Sequence, residues 1–480
     1  MYVIFNSYIL EFLCLWGFWS VGLSLPCWFY GGGSNSVIAR EAFGGLYRRL
    51  MTRDCGGIKR AGLGVGGIVS CLGFVRLGGY ALLVLAMGLV FGTALGAVAA
   101  GREAVQSPLA VTGPSIGYDV DASVAGSGMP EVVYPAGYAD LVYRPLAKVE
   151  YEGNPRVDAK GVYATLYSVS GARLDELIRL ADTTDINALV IDFKDDRGDL
   201  LMPTAAVRRY HPGAKEPVMK DVAPLIKRLK EHGIYPIARI VTFKDPSYTR
   251  AHPSKAIMDP ATGKPYESRD GLTWASPYDS DFRAYNLALA REAAAAGFRE
   301  IQFDYIRFPD VSISRKLDYR NPTGISKAQS IQDFLLEARG QLAPLRVYLA
   351  ADIFGLVPTV RDDMNIGQYW EAVSNAADYL CPMMYPSHYG PGVYGFPVPD
   401  KEPHGVLARG LDDSLKRNRN LVTPAELRPW LQAFTASWLK EYRTYGITEV
   451  KEQIRACRER GIESYLIWNP GNRYTPGAYR

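Results

Sequence analysis

Three aspartates and one arginine occupy matching places in successive apolar segments of this chain. Asp192 lies in Val190-Ile191-Asp192-Phe193-Lys194 and Arg239 in Ile237-Ala238-Arg239-Ile240-Val241. Asp304 lies in Ile301-Gln302-Phe303-Asp304-Tyr305-Ile306-Arg307-Phe308-Pro309, and Asp352 in Tyr348-Leu349-Ala350-Ala351-Asp352-Ile353. Segments this rich in apolar and β-branched residues read as strands. A carboxylate that ends a strand and runs into an aromatic, basic, Pro-terminated loop is how parallel β/α barrels present a catalytic acid. Asp304 is that residue. Adjacent strands lie about 4.8 Å apart. Carboxylates on consecutive strands can therefore approach the ~5–5.5 Å of retaining glycosidases rather than the ~6.5–9.5 Å of inverting ones. This chemistry makes Asp304 the nucleophile and Asp352 the general acid/base, with the loop acids Asp310 and Asp363 as alternatives to Asp352. The plain structural alternative for each Asp is a cap or half of an ion pair.

Substrate-binding candidates gather around these acids. Alternation along a strand puts Asp192 and Lys194 on one face, either to bind hydroxyls or as an ion pair bracing a barrel mouth. Arg239 shares a face with Ile237 and Val241. If that face is inward, its guanidinium needs Asp192 or Asp304, because burying it unpaired is costly; on the opposite parity it faces the helix layer. Tyr305 and Arg307 come directly after Asp304. Tyr385 and His388 come after the sixth strand, and Trp468 ends the eighth, as a sugar-stacking platform or a core plug.

Other chemistries find little support. The five His show no H-x-H or H-E-x-x-H spacing, so no metal is expected. There is no G-x-S-x-G for a serine esterase and no C-x-x-C. Cys381 and Cys457 read as buried thiols, with a disulfide between them as the alternative. Gly62–Gly67 matches G-x-G-x-x-G but lacks the surrounding βαβ unit, so no cofactor is expected. The net charge of +4 comes without a basic stripe, which excludes nucleic acid as a partner.

These residues need a scaffold, and strand-then-helix alternation supplies it from residue 158 to 480. Strands are expected at 161–166, 188–194, 235–242, 300–306, 347–353, 379–385, 430–435 and 464–468. Helices are expected at 173–181, 221–232, 282–296, 327–343, 366–374, 406–416 and 449–460. The fold class is α/β, a (β/α)₈ TIM barrel. An open doubly wound sheet would need a Gly-rich phosphate turn after its first strand, and none is present. No eighth helix comes after the last strand; the segment around Tyr134–Tyr151 is the candidate to cover that gap.

Upstream, residues 77–100 form an uncharged apolar run long enough to span a bilayer. Arg48, Arg49, Arg53, Lys59, Arg60 and Arg76 precede it, so the positive-inside rule exports the chain downstream of it. Ala97-Val98-Ala99 has the form of a signal-peptidase site, so the segment is a membrane anchor or a cleaved signal. Residues 1–76 read as a cytoplasmic or unstructured extension, in which the apolar stretch 1–30 is either a second span or has no folded role. Residues 101–157, rich in Gly, Pro, Ser and Ala, read as a flexible linker, with Tyr134–Tyr151 expected to pack against the domain that follows. The barrel is thus placed outside the cytoplasm, tethered or secreted.

The motifs Val190–Asp195, Ile237–Asp245, Phe303–Pro309, Ala351–Gly355 and Pro382–Tyr389, in that order, resemble those of a bacterial family known as domain of unknown function 4015 (DUF4015). The resemblance covers nearly all of residues 158–475. It implies a glycosidase-like TIM barrel, commonly behind an export signal, and supplies no settled substrate. The expected function is cleavage of an extracellular or cell-envelope polysaccharide. The rival expectations are a non-catalytic carbohydrate-binding barrel and a metal-dependent lyase or aldolase built on Asp192, Asp304 and Asp352.

Overall fold

The structure, a computed structural model, describes residues 132–480. The segment 77–100, the glycine motif at Gly62–Gly67 and the first four cysteines lie outside the described residues. Branched apolar residues form the strands β1 (Lys160–Ala164), β2 (Ala188–Lys194), β3 (Tyr235–Val241), β4 (Glu300–Asp304), β5 (Tyr348–Phe354), β6 (Tyr379–Met383), β7 (Trp430–Gln432) and β8 (Tyr465–Trp468). All pair in parallel with their sequence neighbours, and β8 pairs with β1. A pairing of Trp430 with Met383 joins β7 to β6 and closes the barrel. A two-residue strand, Glu426–Leu427, lies along β6.

Alternation along each strand sorts the core into two layers. Tyr163, Val190, Ile237, Ala350, Cys381 and Leu466 fill the barrel interior. The residues between them, such as Leu189, Ile191, Ala238, Ile240, Ile301 and Phe303, face the helices. Those helices are α1 (Arg173–Thr183), α2 (Ala223–Glu231), α3 (Ser280–Ala295), α4 (Lys327–Leu342), α5 (Trp370–Ala376), α6 (Pro403–Asn418) and α7 (Ile447–Arg458). Helix α1 buries Leu174, Leu177, Ile178 and Leu180, the i, i+3, i+4 stripe of an amphipathic helix. Asp279 and Ser326 start α3 and α4 as caps, accepting from the backbone N–H of Phe282 and Gln329. Helix α5 begins four residues later than its sequence pattern, because Met364, Asn365 and Gly367 adopt left-handed φ angles of 53°, 57° and 84°.

The gap after β8 is filled differently from expectation. The C-terminal tail covers it: Ala478 and Tyr479 are buried against the outer core, and Asp185 N–H donates to Tyr479 O at 2.9 Å. The upstream segment instead straps α4 and α5. Leu141 packs on Ala328 and Ala372, Tyr138 stacks on Tyr369 at 4.0 Å, and the Asn375 amide donates to Val142 O and Arg144 O at 3.1 Å each. Residues 132–157 are therefore fastened to the barrel rather than a free tether. At the amino-terminal end of the strands, Tyr151 lies against Tyr348, and the fully buried Arg428 seals the barrel with Nη1 2.7 Å from both Glu300 oxygens. Cys381 and Cys457 are free, buried thiols.

Candidate active site

At the opposite, carboxyl-terminal end of the strands, Arg239 projects inward from β3 and joins two acids. Its Nη1 donates to Asp192 Oδ1 at 2.5 Å, and its Nε and Nη2 donate to Asp304 Oδ2 at 3.0 and 2.5 Å. Register makes this possible: Asp192 and Arg239 are paired residues on β2 and β3, and Asp304 pairs with Val241, two residues beyond Arg239 on the same face. The Tyr163 hydroxyl donates to Asp192 Oδ2 at 2.6 Å. Tyr163 also stacks on Trp468 at 3.9 Å, and the guanidinium of Arg239 lies 5.5 and 5.3 Å from the centroids of these two rings. The guanidinium thus occupies the place between Asp192 and Asp304 that a cation bound by both would need.

Asp304 ends β4. Tyr305, directly after it, adopts φ 48°, a strained conformation for a bulky residue. That turn sends the Tyr305 N–H back to Asp304 Oδ1 at 2.5 Å. Each hydrogen bond to the Asp304 carboxylate is therefore a donated one, from Arg239 on one oxygen and from backbone on the other.

Asp352 stands next in register on β5, since Phe303 pairs with Ala351. The Trp430 indole donates to its Oδ1 at 2.8 Å, and its Oδ2, with no protein partner, is buried. Burial, and after it the nearby charge of Asp304, hold the Asp352 pKa well above the usual carboxylate range.

Above these acids lies a cavity of about 630 Å³. Arg239, Asp304, Tyr305, Arg307, Tyr385, His388 and Trp468, all anticipated from the sequence, line it. Asp192 does not; Arg239 and Tyr163 enclose it at 1% exposure. Asp352, also 1% exposed, lies behind Trp430 rather than in the wall. Lys194 is a correction. A β-bulge between Asp192 and Lys194 breaks the alternation, so the lysine turns out of the barrel. Its Nζ donates to Asp245 Oδ2 at 2.9 Å and lies 5.0 Å from the Phe282 ring centroid on α3, with no exposure.

Of the loop acids, Asp310 lines the cavity and is exposed, whereas Asp363 holds the turn before α5 and bonds to Tyr138. Sequence reasoning missed several residues of the site. Tyr163 and Trp430 were within reach through strand parity. Gly355 carries no chemistry that would single it out in the sequence; a Cβ there would collide with Met383 O, so β5 and β6 need glycine to close up at the rim. Arg269 sits in the long loop between β3 and α3, where no periodicity places it. The wall continues outward through Phe434, set edge-on to Tyr385 at 5.9 Å, to the exposed Trp438, which stacks on Phe434 at 5.8 Å.

No curated protein matches this chain. Among solved structures it is similar to a hypothetical protein from Ruminiclostridium thermocellum, with 34% identity over 43% of this chain and 98% of that one and a TM-score of 0.36. It is also similar to the glycoside hydrolase domain of PgaB (BpsB) from Bordetella bronchiseptica, with 16% identity, coverage of 65% and 94%, and a TM-score of 0.48. A third is the glycoside hydrolase domain of PelA from Pseudomonas aeruginosa, with 12% identity, coverage of 65% and 95%, and a TM-score of 0.37. The family model described as "Putative glycosyl hydrolase domain" (DUF4015) matches residues 161–474, and the chain belongs to that family.

Proposed function

We propose that this protein is an exported glycoside hydrolase that cleaves an extracellular or cell-envelope polysaccharide. Asp304 is the nucleophile and Asp352 the general acid/base. One observation carries the reading: an inward strand-end carboxylate lines an aromatic-walled cavity, and a second carboxyl group of raised pKa stands next to it in register. A carboxyl group whose pKa is raised holds its proton more firmly and can deliver it to a departing sugar oxygen, while its hydrogen-bonded neighbour attacks the anomeric carbon. The rings of Trp468, Tyr385 and Tyr305 offer faces on which a sugar can stack. Because Asp352 lies behind Trp430, proton delivery requires the indole or Tyr385 to shift when substrate binds; the exposed Asp310 is the other acid in reach of the cavity.

The test is a polysaccharide activity screen of the full chain. Asp304→Asn should lose at least about a thousandfold in rate while keeping the wild-type circular dichroism spectrum. Asp352→Asn should lose activity on polysaccharide yet still release the first equivalent of aryl group from aryl glycosides, whose leaving groups need no proton, with later turnover slowed by the missing base. Full activity of the Asp304 variant removes that residue from the mechanism, and the aryl-glycoside pattern appearing in Asp310→Asn instead reassigns the acid/base. Binding without turnover of any glycan would favour the lectin-like reading.

A further inference from the structure

The cavity over Asp304 adjoins a second hollow of about 590 Å³, and Arg269, Tyr305, Arg307 and Asp310 line both. Two cations of the second hollow are already matched: Lys244 pairs with Asp270, and Arg315 with Asp259 at 2.6 Å. Arg307 is different. It is 7% exposed, and its one hydrogen bond among the described residues runs from Nη1 to the carbonyl of Phe308 at 3.0 Å. No carboxylate among them forms an ion pair with it.

The rings of Phe354, Trp274 and Tyr305 hold it, with centroids 4.3, 4.9 and 5.1 Å from its Cζ. Contacts of this kind attract the charge without accepting a hydrogen bond along any N–H. Arg307 lines both hollows, and its Nε and Nη2 make no hydrogen bond among the described residues. The acids whose charge reaches it are committed or exposed: Asp304 accepts from Arg239, and Asp310 is exposed and without an ion pair. Glu267, in the second hollow, is likewise exposed. A nearly buried guanidinium with open donors and no carboxylate is costly unless a ligand supplies the anion. Its planar fork matches a carboxylate in two parallel hydrogen bonds. Arg269, exposed at the junction of the hollows, adds a second positive charge.

Building on the glycosidase reading, we propose that Arg307, assisted by Arg269, receives the carboxylate of an acidic sugar unit beside the cleavage point, so that the substrate is a uronate-containing polysaccharide.

Calorimetric titration of the full chain with oligosaccharides of polygalacturonate, alginate and hyaluronan, against neutral cello- and malto-oligosaccharides of equal length, tests this. At least one uronate series should bind about tenfold or more tighter than the neutral ones, and Arg307→Gln should remove that advantage. Arg307→Lys keeps the charge but not the fork and should lose most of it; Arg269→Gln, at an exposed position, should weaken uronate binding a few-fold without affecting folding. Lys220→Gln, at an exposed position that lines neither hollow, should change nothing. Equal binding of neutral and acidic glycans, or uronate binding indifferent to both arginines, overturns the proposal. The two readings fail separately. Uronates bound through Arg307 but not cleaved would sink the hydrolase alone, whereas neutral glycans cleaved with no dependence on Arg307 would sink the uronate site alone.

Discussion

The Trp430 indole hydrogen bond favours the ionised form of Asp352, against burial and the charge of Asp304, which favour the protonated form and prevail. If protonated Asp352 is the form that works, activity falls as pH rises through its raised pKa. Trp430→Phe removes the donor, so the pKa rises further and the alkaline limb of the rate profile should move up, by about one pH unit for a bond worth ~1.4 kcal/mol. Stability has the same sign: a carboxyl pKa raised on folding means stability is lost as pH climbs above the ordinary carboxylate range. A pH–rate profile of the variant with its alkaline limb unmoved or shifted down would detach Asp352 from the proton transfer. Legibility at this scale was uneven. The Asp304 signal was strong because the residue type, the strand end and the aromatic loop coincide. Parity put Tyr163 and Trp430 within reach as inward residues, but which acid each of them meets is decided by packing across the barrel, with Tyr163 on Asp192 and Trp430 on Asp352.

Elements decide which way a side chain points, and here the alternation rule held for most strands and failed at one place. On β3 the inward parity of Arg239 is realised, because Asp192 and Asp304 flank it and neutralise its charge. On β2 the bulge after Asp192 sends Lys194 to Asp245, which also caps the short helix Pro246–Ala251. Nothing in the local text of Phe193-Lys194-Asp195 announces a bulge, since the extra residue is recognised only against the register of β3. The strap is the second element: low periodicity over 101–157 read as a tether, and the packing expected of Tyr134–Tyr151 against the barrel is realised by a few spaced apolar anchors. Leu141 and Leu146 are two of them, at 9% and 6% exposure. Replacing both with Ala should lower stability by about 4 kcal/mol or more, at ~2 kcal/mol or above for each buried leucine truncated. Urea unfolding of the double variant measures this, and an unchanged midpoint would make the strap a detachable wrapping.

For the whole molecule, the barrel closes on itself, so it has no exposed sheet edge and one end is free for chemistry. The buried Arg428–Glu300 pair and the strap occupy the other end. Among the described residues no helix is long and apolar enough to cross a membrane, so the proposed export rests on the apolar run at 77–100. Protease added to intact cells should then degrade the barrel, or the barrel should be found in the medium. A barrel protected until the cells are lysed would place it in the cytoplasm and remove envelope polysaccharide from the substrates.

Periodicity by itself determined the eight strands and their crossover helices and the parallel barrel they imply, and the strand-end position marked Asp304 as an acid facing its mouth. These arise from local alternation and from turn and cap residues, which a chain carries in its own text. Tertiary structure alone decided that Arg239 bridges two acids, that Lys194 leaves the site, that Asp352 is covered by Trp430, and that Arg307 keeps open donors between two hollows. Each depends on the register and spacing of strands far apart in sequence, and sequence spacing does not encode that distance.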